Sequence, residues 1–289
     1  MPGSTRVAVV LHILKNQPYG AVLLKGIREV LSARPSIEVE VFDPEGQPVE
    51  QVRILERLLA RGLEGLIVAP LDMSIRPVLR RHRSAGVPVV AVDNDLGDPD
   101  LQNALVTADN RSIGRSIGLF MKEVMGGVGD IVEIRGIANR STKDRSDGFR
   151  EAIAGHPRMR IIDTCSADWS YDLARQAFEA VLLRRPRIDA VFAQNDEMAR
   201  GALDAAAAFG RELEMLVTGV DAVPGALGIQ LVSQGRLAAS CLNPPLGKQA
   251  ALGLLAVLDG EPFQKVTVLQ TSMLRSNERI RAWQATHQS

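Results

Sequence analysis

The sequence predicts an α/β protein built from two doubly wound lobes, each with a parallel sheet. At 289 residues the chain exceeds the usual extent of one hydrophobic core, so two domains are expected. Short β-branched runs alternate with longer amphipathic stretches nearly from end to end, which is the pattern of βα units. This alternation restarts near the middle of the chain and therefore indicates a second lobe of the same design.

The first lobe follows from this periodicity in order. Strands are predicted at residues 6–11, 38–42, 65–68 and 88–92, with helices at 21–33, 49–61 and 75–85 between them. The second series of strands is predicted at 104–107, 130–134, 160–165, 190–193 and 215–218. Two late strands, at 237–242 and 266–269, flank a helix at 248–258. Too little chain remains for a third domain, so these last elements must join a lobe already built.

Charge and composition exclude several classes of function. Lys+Arg and Asp+Glu both number 34, and no Lys/Arg-rich block occurs, so nucleic acid is not an expected partner. Cys165 and Cys241 have no metal-ligand spacing and are interpreted as small apolar packing residues. No phosphate-binding glycine motif follows a predicted strand. Neither a metal nor a cofactor is expected.

The start of the chain carries no targeting signal of its own. The apolar stretch at 7–11 is far shorter than a membrane span or a signal-peptide core, so direct membrane insertion is not expected. Met-Pro-Gly-Ser at the start is typical of a cloning remnant. We therefore expect that a natural leader was removed.

Polar and aromatic side chains follow almost every predicted strand. In open doubly wound sheets ligands bind beyond the carboxyl ends of the strands. Planar side chains with two polar atoms pair with vicinal hydroxyls, and an aromatic ring covers the C–H face of a sugar. The inventory therefore indicates a carbohydrate or polyol. The strand-end set comprises Gln17, Tyr19, Asp72, Asp93, Asn94, Asp109, Asn110, Asp168, Trp169, Gln194, Asn195, Asp196, Asp221 and Asn243.

Helix capping is the alternative explanation for part of this set. Asp and Asn after a strand often cap the next helix, and for Asp72, Asp109 and Asp196 capping is the preferred interpretation. Trp169 and Asn195 are better explained as ligand contacts. His12, near the first strand end, is a weaker pocket candidate.

Two further motifs resemble functional motifs, but the sequence around them does not support the function. Residues 114–118 fit G-x-S-x-G, but the preceding strand ends too early for a nucleophile elbow, so Ser116 is expected inside a helix and its flanking glycines at a helix contact. The four aspartates at 93, 95, 98 and 100 lack the spacing of a calcium loop, and a solvated turn is the preferred interpretation of Asp95 to Asp100.

Two longer segments resemble a known family. Residues 133–138 (EIRGIA) followed by 145–149 (RSDGF), and 191–199 (VFAQNDEMA) followed by 201–203 (GAL), are similar to type I periplasmic sugar-binding proteins, closest to the ribose-binding branch, with the ligand-binding cores of LacI-type repressors as cousins. The similarity spans nearly the whole chain.

The resemblance implies a hinge-bending receptor and not a catalyst. Three crossing strands would join one lobe, residues 1–108 and 244–269, to a second, residues 109–243 and 270–289. The cleft between them would close on a monosaccharide or sugar alcohol, which the protein, acting as a periplasmic monomer, would deliver to an ABC-type permease.

Position by position, the resemblance also implies ligand contacts. Asp93 and Asp221 would accept hydrogen bonds from hydroxyls, Arg145 would donate as a fork, and Tyr19 and Trp169 would sandwich the carbon skeleton. Asn195, Gln17 and Asn243 would act as carboxamide partners. The full predicted set is Gln17, Tyr19, Asp93, Asn94, Arg145, Trp169, Asn195, Asp221 and Asn243.

Four departures from the family pattern argue against ribose itself. The family usually has an aromatic residue at Gly20, an arginine at Asn94, a polar residue at Ala69 and an aromatic residue at Val220. Two alternatives stay open: the ligand-sensing core of a regulator, chemoreceptor or sensor kinase, and, less favoured, a hydrolase or transferase.

Overall fold

The computed structural model describes residues 4–11, 18–223 and 227–287. The chain forms two compact units, one of Met1–Ala108 with Pro244–Gln270 and the other of Asp109–Asn243 with Thr271–Ser289. It therefore passes from one unit to the other three times, after Ala108, Asn243 and Gln270. Within the ranges described, no helix combines the length and apolar character that crossing a membrane requires.

The first unit is a three-layer α/β/α sandwich. Its elements are β1 (Thr5–Val10), α1 (Pro18–Leu31), β2 (Ile37–Phe42), α2 (Pro48–Arg61), β3 (Gly65–Val68), α3 (Arg76–Ser84), β4 (Val89–Val92), β5 (Ala104–Ala108) and, late in the sequence, α9 (Leu246–Leu258) and β11 (Val266–Leu269). The strand order is β11-β5-β4-β3-β1-β2, and every pairing in this sheet is parallel.

Alternation along β1 creates the two cores of this unit. Val7 and Val9 point to the face covered by α1 and α9, whereas Ala8 and Val10 point to the face covered by α2 and α3. A strand covered on both faces is apolar at consecutive positions, which explains why the predicted strands were continuous apolar runs.

Local signals set the helix ends. Pro48 occupies the first turn of α2, where its missing N–H is not needed, and Gly62 ends the helix with a φ of 71° that favours glycine. In the other unit, Asp109 caps the helix Asn110–Met125 and Gly126 ends it in the left-handed region.

The second unit repeats this architecture. Its elements are α4 (Asn110–Met125), β6 (Gly129–Arg135), α5 (Arg140–Ile153), β7 (Met159–Ser166), α6 (Tyr171–Arg184), β8 (Ala190–Ala193), α7 (Asp196–Ala208), β9 (Leu216–Val220), α8 (Leu227–Ser233), β10 (Ala239–Leu242), β12 (Ser272–Arg275) and α10 (Asn277–His287). The strand order is β12-β10-β9-β8-β6-β7. This order matches that of the first unit strand for strand.

The predicted α/β fold with two doubly wound sheets is confirmed, with two corrections. Periodicity grouped residues 104–107 with the second series, but β5 pairs with β4 in the first sheet. Periodicity identifies a strand without identifying its partner, so this assignment was wrong. The strand β12 was not predicted, and it pairs antiparallel with β10 at the sheet edge. Its half-exposed residues lack the apolar run that marks a buried strand.

Glycines allow two helices of the second unit to pack closely. A Cβ on Gly114 would lie 1.9 Å from the carbonyl oxygen of Arg145, and one on Gly118 would lie 2.6 Å from the Cβ of Ala152. Both glycines belong to α4, and their partners belong to α5. Ser116 therefore lies inside a helix between contact glycines, as predicted.

Candidate ligand-binding site

Two aspartates follow strands that occupy corresponding positions in the two sheets. Asp93 follows β4 and Asp221 follows β9, each the third strand from the edge formed by β11 or β12. Their φ angles are 74° and 85°, a region that side-chain-bearing residues rarely adopt. Such conformations persist where the surrounding structure enforces them, often at binding sites.

Positive φ is concentrated at the predicted site. In the part of the chain that the structure describes, five residues other than glycine have positive φ. Four of them, Asp93, Asp168, Trp169 and Asp221, belong to the predicted strand-end set, and the fifth is Glu45. Backbone strain thus marks the same loops that the sequence indicated.

In the first unit, Asp93 lies among neutral hydrogen-bond donors. The hydroxyl of Tyr19 donates to Oδ1 of Asp93 at 3.4 Å, and Nδ2 of Asn94 donates to Oδ2 at 3.3 Å and to the carbonyl of Pro70 at 3.2 Å. The structure therefore brings three predicted site residues together. Gln17 and His12 lie outside the described residues.

In the second unit, Arg145 is the centre of a buried polar cluster. Its Nε donates to Oδ1 of Asn110 at 2.8 Å, its Nη1 donates to the carbonyl of Gln194, and its Nη2 lies 3.6 Å from Oδ1 of Asp221. The arginine side chain is 4% exposed. A guanidinium with its direction fixed by several acceptors is suited to donating to one defined ligand position.

Asp221 and Asn243 form a second polar pair, in which Asn243 is buried and Asp221 is partly exposed. Nδ2 of Asn243 donates to Oδ1 of Asp221 at 3.0 Å. The carbonyl oxygen Oδ1 of Asn243 is buried and, among the described residues, accepts no hydrogen bond. Because a buried acceptor without a donor is costly, this oxygen is suited to accepting a hydrogen bond from a bound molecule.

Trp169 packs against the start of the loop after β6. A Cβ on Gly136 would lie 2.2 Å from the indole ring, so only glycine lets the ring adopt this position. The guanidinium carbon of Arg145 lies 5.5 Å from the ring centroid, within cation–π range. Trp169 is 7% exposed. The ring thus also supports the arginine.

Asn195, and not Asp196, is the residue that caps α7. Asn195 is the N-cap of α7, where its Oδ1 accepts from the backbone N–H of Met198 at 2.8 Å, and its Nδ2 donates to the carbonyl of Trp169 at 3.3 Å. The capping interpretation of Asp196 was wrong, since Asp196 is the first residue inside the helix. The predictions for Asp72 and Asp109 are confirmed, because each carboxylate accepts a backbone N–H in the following turn.

Two residues that hold Arg145 were not recognised as site residues. Asn110 and Gln194 were in the strand-end set, but no role was assigned to them. The sequence signal for these two residues was their position, since Asn110 follows β5 and Gln194 follows β8. Only the tertiary structure shows that both contact an arginine on α5. Arg145 itself was found through the resemblance, because a residue in the middle of a helix is absent from any strand-end set.

Neither of the two thiols is an activated nucleophile. Burial raises the pKa of Cys165 to about 11 and that of Cys241 to about 12. Both thiols are therefore protonated at neutral pH and are poor nucleophiles. The buried groups at these strand ends are acceptors, donors and one fixed cation, which is an arrangement for binding polar molecules.

Fold and site together define a type I solute-binding protein of two α/β units. The sequence profile of the periplasmic binding protein domain matches residues 7–262. The chain belongs to this family of periplasmic binding proteins, and its relatives identify it as a type I periplasmic sugar-binding protein. Members of the family are solute-binding proteins and not enzymes, in agreement with the prediction.

Relatives and solved structures support this assignment. The chain is 30% identical over 254 residues to the ribose import binding protein of Bacillus subtilis, covering 86% of this chain and 81% of the relative. It is 30% identical over 273 residues to the D-allose-binding periplasmic protein of Escherichia coli, covering 91% and 86%. The fructose-binding periplasmic domain of a hybrid two-component system superposes with a TM-score of 0.90 at 29% identity, covering 98% of this chain and 95% of that one.

Proposed function

We propose that the protein closes on a neutral monosaccharide or sugar alcohol and delivers it to an ABC-type permease in the periplasm. The observation that carries this proposal is the polar cluster of Arg145, Asp221 and Asn243, in which one fixed donor fork, one carboxylate and one carbonyl that lacks a donor among the described residues are held together. Vicinal hydroxyls both donate and accept, so a polyol matches all three groups.

The residue roles in this proposal rest on the family resemblance and are supported by the contacts of Asp93, Arg145, Asp221 and Asn243. Asp93 and Asp221 accept from ligand hydroxyls, Arg145 donates, and Oδ1 of Asn243 takes the hydrogen bond that it lacks among the described residues. Tyr19 and Trp169 contact the apolar face of the sugar. Gln17, Asn94 and Asn195 complete the proposed set. In this proposal the protein acts as a monomer. Residues 1–108 with 244–269 form one lobe, and residues 109–243 with 270–289 form the other.

Ligand-dependent thermal stabilisation tests the proposal. Pentoses, hexoses and sugar alcohols are added singly, and a ligand at about a hundred times its Kd adds about 2.7 kcal/mol of stability. We expect sugars of one stereochemical group to raise Tm. Asn243→Leu should abolish this increase in Tm. The control Asn103→Leu, a substitution in the other unit away from these strand ends, should leave the increase unchanged. A panel without any stabiliser contradicts the proposal.

A sensory core is the second candidate. The observation in its favour is the similarity to the fructose-binding domain of a two-component system, which has the same fold at 29% identity. Both candidates require a sugar-binding site, so ligand screening does not separate them. Reconstitution with an ABC-type sugar permease does, because only a transport component stimulates ATP hydrolysis by the permease when loaded with ligand.

A further inference from the structure

Asp196 is a completely buried carboxyl group beneath the loops that carry the proposed ligand contacts. It is the first residue of α7 and is 4% exposed. A Cβ on Gly219 would lie 2.0 Å from its Oδ1, and a Cβ on Gly228 would lie 1.8 Å from its Oδ2. The carboxyl group therefore fills the space between β9 and the start of α8, and both glycines are required for it to fit.

The hydrogen bonds of this group are too few to compensate a buried negative charge. Oγ of Ser240, on β10, donates to Oδ1 of Asp196 at 2.7 Å. Oδ2 has no hydrogen-bond partner among the residues that the structure describes. An ionised carboxylate without water needs several donors or a cation, whereas a protonated one needs far less.

Two of the three charges around Asp196 also favour the neutral form. Burial raises the pKa of Asp196 well above its usual range, and the negative charges of Asp221 and Glu197 raise it further, against lowering by the Ser240 hydrogen bond and by Arg145. Glu197 follows on α7, Asp221 follows β9, and Arg145 is on α5. The N-terminus of α7 favours the anion, but such dipole effects are small compared with removing a carboxylate from water.

We propose that Asp196 is held as a neutral carboxylic acid in the folded protein, and that in this form it is the positioning residue for Asp221 and Asn243. Asp196 touches β9 two residues before Asp221 and β10 three residues before Asn243, through Gly219 and Ser240. Ionisation would place a second negative charge beneath Asp221 and drive the carboxyl group out of the space between the glycines. The effect on ligand affinity rests on the proposed sugar-binding function, whereas the protonation does not.

The protonation is tested without ligand. Denaturant unfolding is measured from about pH 5 to about pH 8 for the wild type, Asp196→Asn and a control, Asp172→Asn, which replaces an exposed aspartate in the first turn of α6. A raised folded-state pKa means that the native state holds the proton, so stability is lost as pH rises towards that pKa. The folded-to-unfolded ratio of the wild type should fall relative to Asp196→Asn by up to about tenfold per pH unit. Parallel curves for all three proteins would overturn the proposal.

The positioning role is tested by ligand affinity, with the sugar found to stabilise the protein as the probe. Asp196→Asn keeps the shape and neutral charge, so its affinity should remain within about threefold of the wild type and become less dependent on pH, whereas Asp196→Ala should bind at least about tenfold more weakly. If Asp196→Ala does not fold, Ser240→Ala, which removes the one donor, should show the same loss in milder form. Wild-type affinity in these alanine variants, or loss of binding in Asp196→Asn, overturns the positioning role. If no sugar binds, the proposed function fails while the unfolding experiment still decides the protonation.

Discussion

Asp93 and Asp221 occupy equivalent positions in the two sheets. Each donates its backbone N–H to a carbonyl of the neighbouring strand, Asp93 to Val106 at 2.8 Å and Asp221 to Cys241 at 3.0 Å, and each has positive φ. The two carboxylates nevertheless have different neighbours. Among the described residues, Asp93 receives neutral donors from Tyr19 and Asn94, whereas Asp221 lies beside a guanidinium. The same backbone conformation in the two units thus presents two carboxylates with chemically different surroundings.

Replacing Asp93 with glycine should increase the stability of the protein and weaken ligand binding. Asp93→Gly relieves the cost of positive φ and removes only two long hydrogen bonds, so unfolding free energy should rise by about 1 kcal/mol. Ligand affinity should fall at least about tenfold, because a buried acceptor is lost. Denaturant unfolding and calorimetric titration measure the two effects. Asp172→Gly is the control, since glycine inside a helix should destabilise the protein by about 1 kcal/mol.

Arg145 should not tolerate lysine. A lysine ammonium cannot reach Asn110, the carbonyl of Gln194 and Asp221 with fixed geometry, so Arg145→Lys should lose about 2–4 kcal/mol of stability and at least about a hundredfold in affinity. Arg175→Lys, at an exposed ion pair with Glu179, should change stability by less than about 0.5 kcal/mol. Equal behaviour of the two variants would contradict the role of the buried fork.

Asn243→Asp should make binding strongly dependent on pH. The substitution places a second carboxylate about 3.0 Å from Asp221, and like charges at this distance raise the pKa of one of them. Protonation restores a donor between the two groups, so affinity should recover as pH falls, whereas Asn243→Ala should remain weak throughout. Titrations at several pH values measure this. A variant that binds equally at low and neutral pH would exclude a direct interaction between the two side chains.

Gly136 should be needed for the position of Trp169. Gly136→Ala places a methyl group 2.2 Å from the indole ring, so the ring and with it Arg145 must move. We expect a loss of about 1–3 kcal/mol in stability and a clear loss of affinity. Gly155→Ala is the matched control, because nothing lies within 4 Å of its Cβ. Tryptophan fluorescence reports the displacement, and an unchanged spectrum in Gly136→Ala would contradict the contact.

Periodicity and strand-end chemistry predicted much of this protein. The strands at 65–68 and 190–193 were predicted with their observed bounds, because buried parallel strands are short continuous apolar runs. The partly exposed edge strand at 266–269 was also predicted with its observed bounds, because it is rich in β-branched residues. The helix of Ser116 was predicted because G-x-S-x-G lacked a strand directly before it. The edge strand β12 could not be predicted in this way, since its residues are partly exposed and carry no alternation.

The roles of individual polar residues needed the tertiary structure. Asn195 and Asp196 are adjacent and both suit a helix N-terminus, yet one caps α7 and the other is buried between Gly219 and Gly228. Arg145 lies in a helix, and only the packing of α5 on α4 places it beside Asn110.

The sequence alone determined which segments form strands and helices, that the α/β pattern occurs twice, and which polar residues follow the strands, because these properties depend on local periodicity and turn chemistry. The tertiary structure decided which strands pair, which glycines admit a neighbouring side chain, and which acceptors share Arg145. Those relationships join residues far apart in the chain, and burial, which sets the charge of Asp196 and the unpaired state of the Asn243 carbonyl, exists only after the chain has packed.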